Sequence, residues 1–216
     1  MYLKKEKIMK KLLSLLFSCL IVFSFSTIAY SAEGMYISGN IGAAMLEDVD
    51  VNSSAAPGII GKLDSGTGLS LGIAIGYDFG NNIRVDGELA HQKNDLDTAS
   101  LLNYTGKAAG DFSSLAFLLN GYYDFKNETP FIFSIGAGVG LAKVEINDFS
   151  VPGYRIGSED DTVFAYQVGA GVGYAVTEKF IIELKYRYFG TSDSDLGSLT
   201  AEYTSHNTSL GIRFNF

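Results

Sequence analysis

The 216 residues include no tryptophan, one cysteine, three prolines and two histidines. Each shortage removes a class of explanation. Cys19 lies in the apolar N-terminal run, so the rest of the chain has no disulfide, and cysteine usage says nothing about redox compartment. His91 and His206 do not form a zinc spacing, and the chain has neither a phosphate-binding glycine loop nor a nucleophile elbow. Beyond the N-terminal segment no apolar run is long enough for a spanning helix. Internal repeats, low-complexity tracts and linkers to a second domain are missing too, and the length suits one domain.

Glycine (25), phenylalanine (15) and tyrosine (13) are abundant instead. With short alternating segments, this composition suits a barrel better than a helical bundle. The last segment, 204–216, sets Leu210, Ile212, Phe214 and Phe216 against Ser205, Asn207, Ser209, Gly211, Arg213 and Asn215. A period of two is a strand with one apolar and one polar face. The same pattern recurs in 35–46, 68–79, 83–94, 111–125, 131–146, 161–176 and 180–190, with no helix to cover the apolar face. The connections alternate long and short: 47–67, 95–110, 147–160 and 191–202 are long loops, while 80–82, 126–130 and 177–179 are tight turns. Eight strands in that order predict an all-β fold, an eight-stranded antiparallel up-and-down transmembrane β-barrel, apolar outside and polar within.

Residues 1–31 read as a secretory signal peptide. Lys4, Lys5, Lys7, Lys10 and Lys11 precede an apolar stretch 12–28, and the small residues of Ala29-Tyr30-Ser31 place cleavage after Ser31. Met9 is an alternative start. The barrel domain is then 32–216. Losing the leader, with five lysines and one glutamate, takes the net charge from −8 to −12. That charge repels nucleic acid and other polyanions, so no nucleic-acid partner is expected.

Arg84, Asp86 and Glu88 share the polar face of the third strand; Glu183, Lys185 and Arg187 that of the seventh; Arg213 that of the eighth. Facing lipid, a midplane Arg or Lys costs about 2–4 kcal/mol. Facing inward they pair, and an eight-stranded lumen is only wide enough to be filled by side chains. The cluster reads as the polar core of the barrel. A gated ion path is the functional alternative, helped by inward glycines such as Gly76, Gly136, Gly138 and Gly171, which leave room for water. Tyr77, Phe79, Tyr123, Phe125, Phe131, Tyr174, Phe180, Phe214 and Phe216 gather beside the short turns as an aromatic girdle. The long loops are acidic, but Glu159-Asp160-Asp161 lacks the twelve-residue calcium spacing, so neither metal nor cofactor is expected. His206 and Thr208 share the outward face of the last strand; with an acid, such a pair would suit a lipid A-modifying enzyme.

Gly34-Met35-Tyr36-Ile37-Ser38-Gly39-Asn40-Ile41-Gly42 after the leader, Asn120-Gly121-Tyr122-Tyr123-Asp124-Phe125 followed by Pro130 and Gly136-Ala137-Gly138-Val139-Gly140, then Tyr186-Arg187-Tyr188-Phe189 and the terminal Phe216, carry a resemblance. Over its whole barrel domain the chain resembles the OmpA-like, opacity-type outer-membrane β-barrel family. The resemblance implies a Gram-negative outer membrane with its lipid and lipopolysaccharide, and insertion by the assembly machinery reading the strand of Leu210, Ile212, Phe214 and Phe216. It also implies a porin-like or surface-antigen character. The expected function is non-enzymatic: a structural, surface-exposed scaffold whose four acidic loops meet a host or matrix receptor. A narrow porin and a lipid A-modifying enzyme are the alternatives.

Overall fold

The structure, a computed structural model, describes residues 33–216 apart from 48, 54–59, 102–103, 108, 152–153, 156–157 and 197–198. The leader 1–31 lies outside the described residues. So do the side chains of Asp48, Asp50, Lys62, Asp64, Lys107 and Arg155 from the long connections.

Eight long strands close on themselves: β1 (Gly34–Leu46), β4 (Thr67–Asp78), β5 (Ile83–Leu101), β7 (Ala109–Phe125), β8 (Phe131–Val151), β10 (Glu159–Ala175), β11 (Phe180–Thr191) and β14 (Thr204–Asn215). Neighbours in this order pair antiparallel, and β1 completes the ring by pairing with both β4 and β14. Ile37 stands opposite Phe214 on one side and Ile75 on the other. Gly80 (φ 74°) and Asn82 (φ 71°) make the first short turn, and the Asp78 carboxylate accepts from the Gly80 amide at 2.9 Å. Both residues tolerate positive φ, which is why the chain reverses there.

The inversion of faces is plain in the exposures. Ile73 is 65% exposed, Leu119 63% and Leu184 54%, whereas Arg84 and Arg213 are 1% exposed and Glu183 3%. Around the short-turn end the aromatics meet edge to face, with Tyr77–Phe79, Tyr123–Phe125 and Phe131–Tyr174 centroids 4.9–5.2 Å apart. Phe180 packs on Phe214 at 4.8 Å.

Three expectations are corrected. First, the long connections are not loops throughout. β5 and β8 run seven and five residues past their expected ends at 94 and 146. Six short strands appear as well: β2 (Val49–Ser53), β3 (Ile60–Ser65), β6 (Tyr104–Lys107), β9 (Tyr154–Arg155), β12 (Ser194–Leu196) and β13 (Leu199–Ala201). They repeat the barrel one storey up. β2–β3, β3–β5, β13–β2 and β12–β13 stack on β1–β4, β4–β5, β14–β1 and β11–β14. Backbone bonds bridge the breaks, Glu47 N–H to Thr204 C=O at 2.9 Å and Gly66 N–H to Asp95 C=O at 3.2 Å. These strands escaped sequence reading because the apolar-outward pattern ends below them.

Second, the lumen is not polar throughout. Leu96, Phe112, Leu118, Val144, Ile146, Val163, Phe189 and Tyr203 form a buried apolar cluster inside its long-connection half. On β8 the polarity swaps sides within one residue pair. Below, Phe133, Ile135, Val139 and Leu141 point out, with Ser134 and three glycines in; above, Lys143 and Glu145 point out, with Ala142, Val144 and Ile146 in. Where the surroundings change from hydrocarbon to water, the ordinary arrangement of apolar core and polar surface returns.

Third, inward glycines are not all spare room. Gly76 and Gly136 stand opposite Tyr36 and Tyr122 in register, and a Cβ at either would collide with the facing ring. Each glycine leaves the space that the facing lumen tyrosine ring occupies, the aromatic rescue of a strand glycine.

Candidate functional site

The lumen gathers the seven charged residues singled out from the sequence in two layers. In the lower layer, nearer the short turns, Arg84 on β5 donates from Nε to both oxygens of Asp124 on β7 at 3.0 and 3.1 Å. Arg213 on β14 reaches the same carboxylate at 3.4 Å, and Glu183 on β11 lies 3.6 Å from Arg213 and 3.7 Å from Arg84. The four form a ring of alternating charge spanning the lumen between opposite walls. Lys185 joins through Glu183 at 2.7 Å. The Arg84 guanidinium lies 3.9 Å from the centroid of Tyr122 and 5.7 Å from that of Tyr36, and Arg213 lies 5.6 Å from Tyr36. These rings fill the volume that the ion pairs leave and shield them from water, which strengthens each pair.

In the layer above, Arg187 on β11 meets Glu88 on β5 at 2.8 Å and donates to Ser70 at 3.2 Å. Gln167 donates to Glu88 at 3.0 Å and to Asn120 Oδ1 at 2.7 Å; Asn120 donates to Asp86 at 2.8 Å. Asp86 is held by this amide and by the Tyr36 hydroxyl at 2.8 Å, with no cation in direct contact among the described residues. Lys126 and Asp78, 3.3 Å apart, close the short-turn mouth. Sequence reading missed Asp124 as the central acceptor, although alternation on β7 had already turned it inward. With Asp124 and the Lys126–Asp78 pair included, the described residues bring five cations and five acids into the lumen. A cavity of about 40 Å³ remains among Ser38, Asp86, Glu88, Asn120, Lys185 and Arg187, room for about one water.

Above the charges, Tyr203 stoppers the lumen. Its ring stacks on Phe112 at 5.3 Å and 7° and meets Phe189 edge-on at 5.9 Å. Its hydroxyl points down to Gln92 and Asn94 at 3.5 and 3.4 Å, and its backbone exchanges bonds with Thr191. Burial pushes the Tyr203 phenol above its ordinary value. Nothing in the local alternation distinguishes this tyrosine, and only the folding back of the fourth connection places it.

On the outer wall, the Glu47 carboxylate lies 2.7 Å from His206 Nε2, and His206 Nδ1 meets the Tyr186 hydroxyl at 2.6 Å. The hydroxyl on this imidazole is therefore Tyr186; Thr208 faces Ala43 and Tyr186 across the ladder. Leu210 and Ile212 are more than half exposed on the same wall, Phe214 packs between Phe180 and Phe216, and the Phe216 amide donates to Met35 C=O at 3.0 Å. At the rim, carboxylates of Glu145 and Asp160, 2.6 and 3.3 Å away, hold the Lys143 ammonium above its ordinary value.

A family model described as the outer membrane protein beta-barrel domain matches residues 15–216. Outer membrane protein PagN of Salmonella typhimurium is 30% identical over 193 residues, 78% of this chain and 79% of its own length. A putative adhesin of Rickettsia rickettsii is 29% identical across 96% of this chain and all of its own length. Among solved structures, neisserial surface protein A aligns with a TM-score of 0.58 at 22% identity, over 85% of this chain and 97% of its own, a likeness of fold.

Proposed function

The chain belongs to the outer membrane protein β-barrel domain family and is an outer-membrane protein, and from that premise we propose that it is a non-enzymatic surface scaffold that presents its four acidic connections to a host cell or matrix. One observation carries the reading. Both storeys of the lumen are filled, the lower by the Arg84–Asp124–Arg213–Glu183 ring and the upper by the Tyr203 cluster, while hairpins prolong the wall beyond the apolar belt. A plugged cylinder with long projections suits presentation better than transport. In this reading the short turns face the periplasm, residues 1–31 export the chain and are removed, and the outward Leu210, Ile212, Phe214 and Phe216 serve the assembly machinery. Outer-membrane lipid and lipopolysaccharide surround the belt, and the acidic surface turns nucleic acid away. The adhesin-type relatives give the reading its direction.

The test is binding of the purified barrel to cultured host cells and to immobilised matrix proteins, alongside a variant with the β2–β3 and β12–β13 hairpins shortened to tight turns. Saturable binding lost in the shortened, still folded variant supports the reading; equal binding by both refutes it. The narrow porin rests on the polar cavity between the two seals. A steady conductance in planar bilayers that vanishes in Glu183→Ala would favour it.

A further inference from the structure

Tyr186 stands on the outer wall where the apolar belt gives way to polar groups. It is the next outward residue after Leu184 on β11 and is half exposed. Its hydroxyl reaches diagonally across the β11–β14 ladder, past Thr208 opposite it, to His206 Nδ1 at 2.6 Å. The far nitrogen of that imidazole, Nε2, lies 2.7 Å from the carboxylate of Glu47, the residue that follows β1. Three neighbouring strands thus bring a phenol, an imidazole and a carboxylate into one chain of contacts.

The pairing assigns the protons. A carboxylate only accepts, so the neutral imidazole carries its hydrogen on Nε2 and turns a lone pair to the phenol. Tyr186 O–H therefore donates to a base that a carboxylate orients, the arrangement that activates a hydroxyl. Stability does not call for it, since the His206–Glu47 pair is largely exposed and such pairs contribute little. Other outward tyrosines lack this setting. Tyr123 and Tyr174 are nearly as exposed, at 42% against 49%, but stand between Ile83 and Ile135 and between Phe131 and Ile182. Tyr77 meets Glu33 at 3.2 Å, a carboxylate and so a weaker base than imidazole. The second histidine, His91, stands between Leu71 and Leu115. A phenol that loses an electron becomes strongly acidic. At Tyr186 the proton crosses to His206 as the electron leaves, and Glu47 matches the charge of the imidazolium that forms.

We propose that Tyr186 is an oxidative modification site, which one-electron oxidants arriving from the long-connection side attack ahead of the other outward tyrosines. The electron goes to the oxidant, the phenol proton goes to His206 Nδ1, and a phenoxyl radical remains. Two such phenoxyls join ring carbon to ring carbon, and the two ring hydrogens return to the oxygens. The proposal concerns the barrel wall and is independent of what the hairpins bind. The test uses the purified barrel in detergent micelles, briefly exposed to photogenerated tris-bipyridyl ruthenium(III), a one-electron oxidant. A nitroso spin trap adds to the phenoxyl ring, and peptide mass spectrometry counts adducts at each tyrosine. Tyr186 gains them about tenfold faster than Tyr123 or Tyr174, the size of one hydrogen bond to a charged group made as the proton moves. His206→Phe keeps a ring beside Tyr186 and brings its rate down to that of Tyr123; Glu47→Gln lowers it as well. Gel mobility of unheated protein verifies folding, and Glu47→Gln decides if His206→Phe does not fold. Equal rates at Tyr186 and Tyr123 in the parent protein, or a Tyr186 advantage that no folded variant diminishes, overturn the proposal.

Discussion

Removing the Asp124 carboxylate tests the lower seal most directly. Asp124→Ala deletes the acceptor of the Arg84 Nε bonds at 3.0 and 3.1 Å and of Arg213 at 3.4 Å, in a site where all three side chains are 1% exposed. Of the described carboxylates both guanidiniums then keep only Glu183, at 3.6 and 3.7 Å, and Arg84 retains in addition the Tyr36 hydroxyl at 3.3 Å. With no water to screen the pair, breaking it leaves an uncompensated buried charge and costs about 3–5 kcal/mol. At a slope of about 2 kcal/mol per M, the urea midpoint falls by roughly 1.5–2.5 M. The assay is equilibrium unfolding of the barrel in lipid vesicles, followed by tyrosine emission and by gel mobility. Asp111→Ala is the control: its Lys93 partner is half exposed and its other bond, from the Asn147 amide, is only partly buried, so it loses about 1–2 kcal/mol. Replacing Arg84, Asp124, Arg213 and Glu183 together with Lys185, the partner of Glu183 at 2.7 Å, by apolar residues of similar volume recovers most of the loss, because the cost lies in the stranded charge rather than in the missing pair. If Asp124→Ala loses no more than Asp111→Ala, the ring does not hold the lumen together and the account of the interior fails.

Tyr203→Ala removes a fully buried ring stacked on Phe112 and costs about 3–5 kcal/mol. It stays silent in planar bilayers because the lower ring still blocks the path, and only Tyr203→Ala combined with Arg84→Ala conducts. Ile73→Arg puts a charge on the hydrocarbon face and costs about 2–4 kcal/mol in vesicle unfolding. The raised phenol of Tyr203 stabilises the fold fully below its unfolded value near 10, and that contribution is lost as pH rises beyond it. Tyr203→Phe, which keeps the ring, therefore loses less stability than the parent between about pH 9 and 11, as read from urea midpoints.

Period two alone was enough to separate lipid-facing Ile73, Phe117 and Leu184 from lumen-facing Arg84, Glu183 and Arg213, because in a closed strand barrel a residue's parity decides which solvent it meets. The rule works only while the two solvents differ in the expected sense. Above Leu141 on β8 and Leu89 on β5 the outside is water, the polarity of the two faces reverses, and the continuing strands look like irregular polar connections. Parity also turned Asp124 inward, but it does not say which side chains cross the lumen to meet. That depends on the stagger of strands on opposite walls, to which no local pattern is sensitive.

From its sequence alone the chain settled its own inversion: alternation, short turns and an apolar C-terminal strand require a closed barrel with oil outside, since an unpaired backbone is intolerable in hydrocarbon. Tertiary structure decided what fills the barrel. Whether Arg187 meets Glu88 and Ser70 across the lumen, and whether Tyr203 caps it on Phe112 and Gln92, are matters of contact between residues 91 to 117 positions apart. Such contacts exist only once closure has fixed the distance between opposite walls.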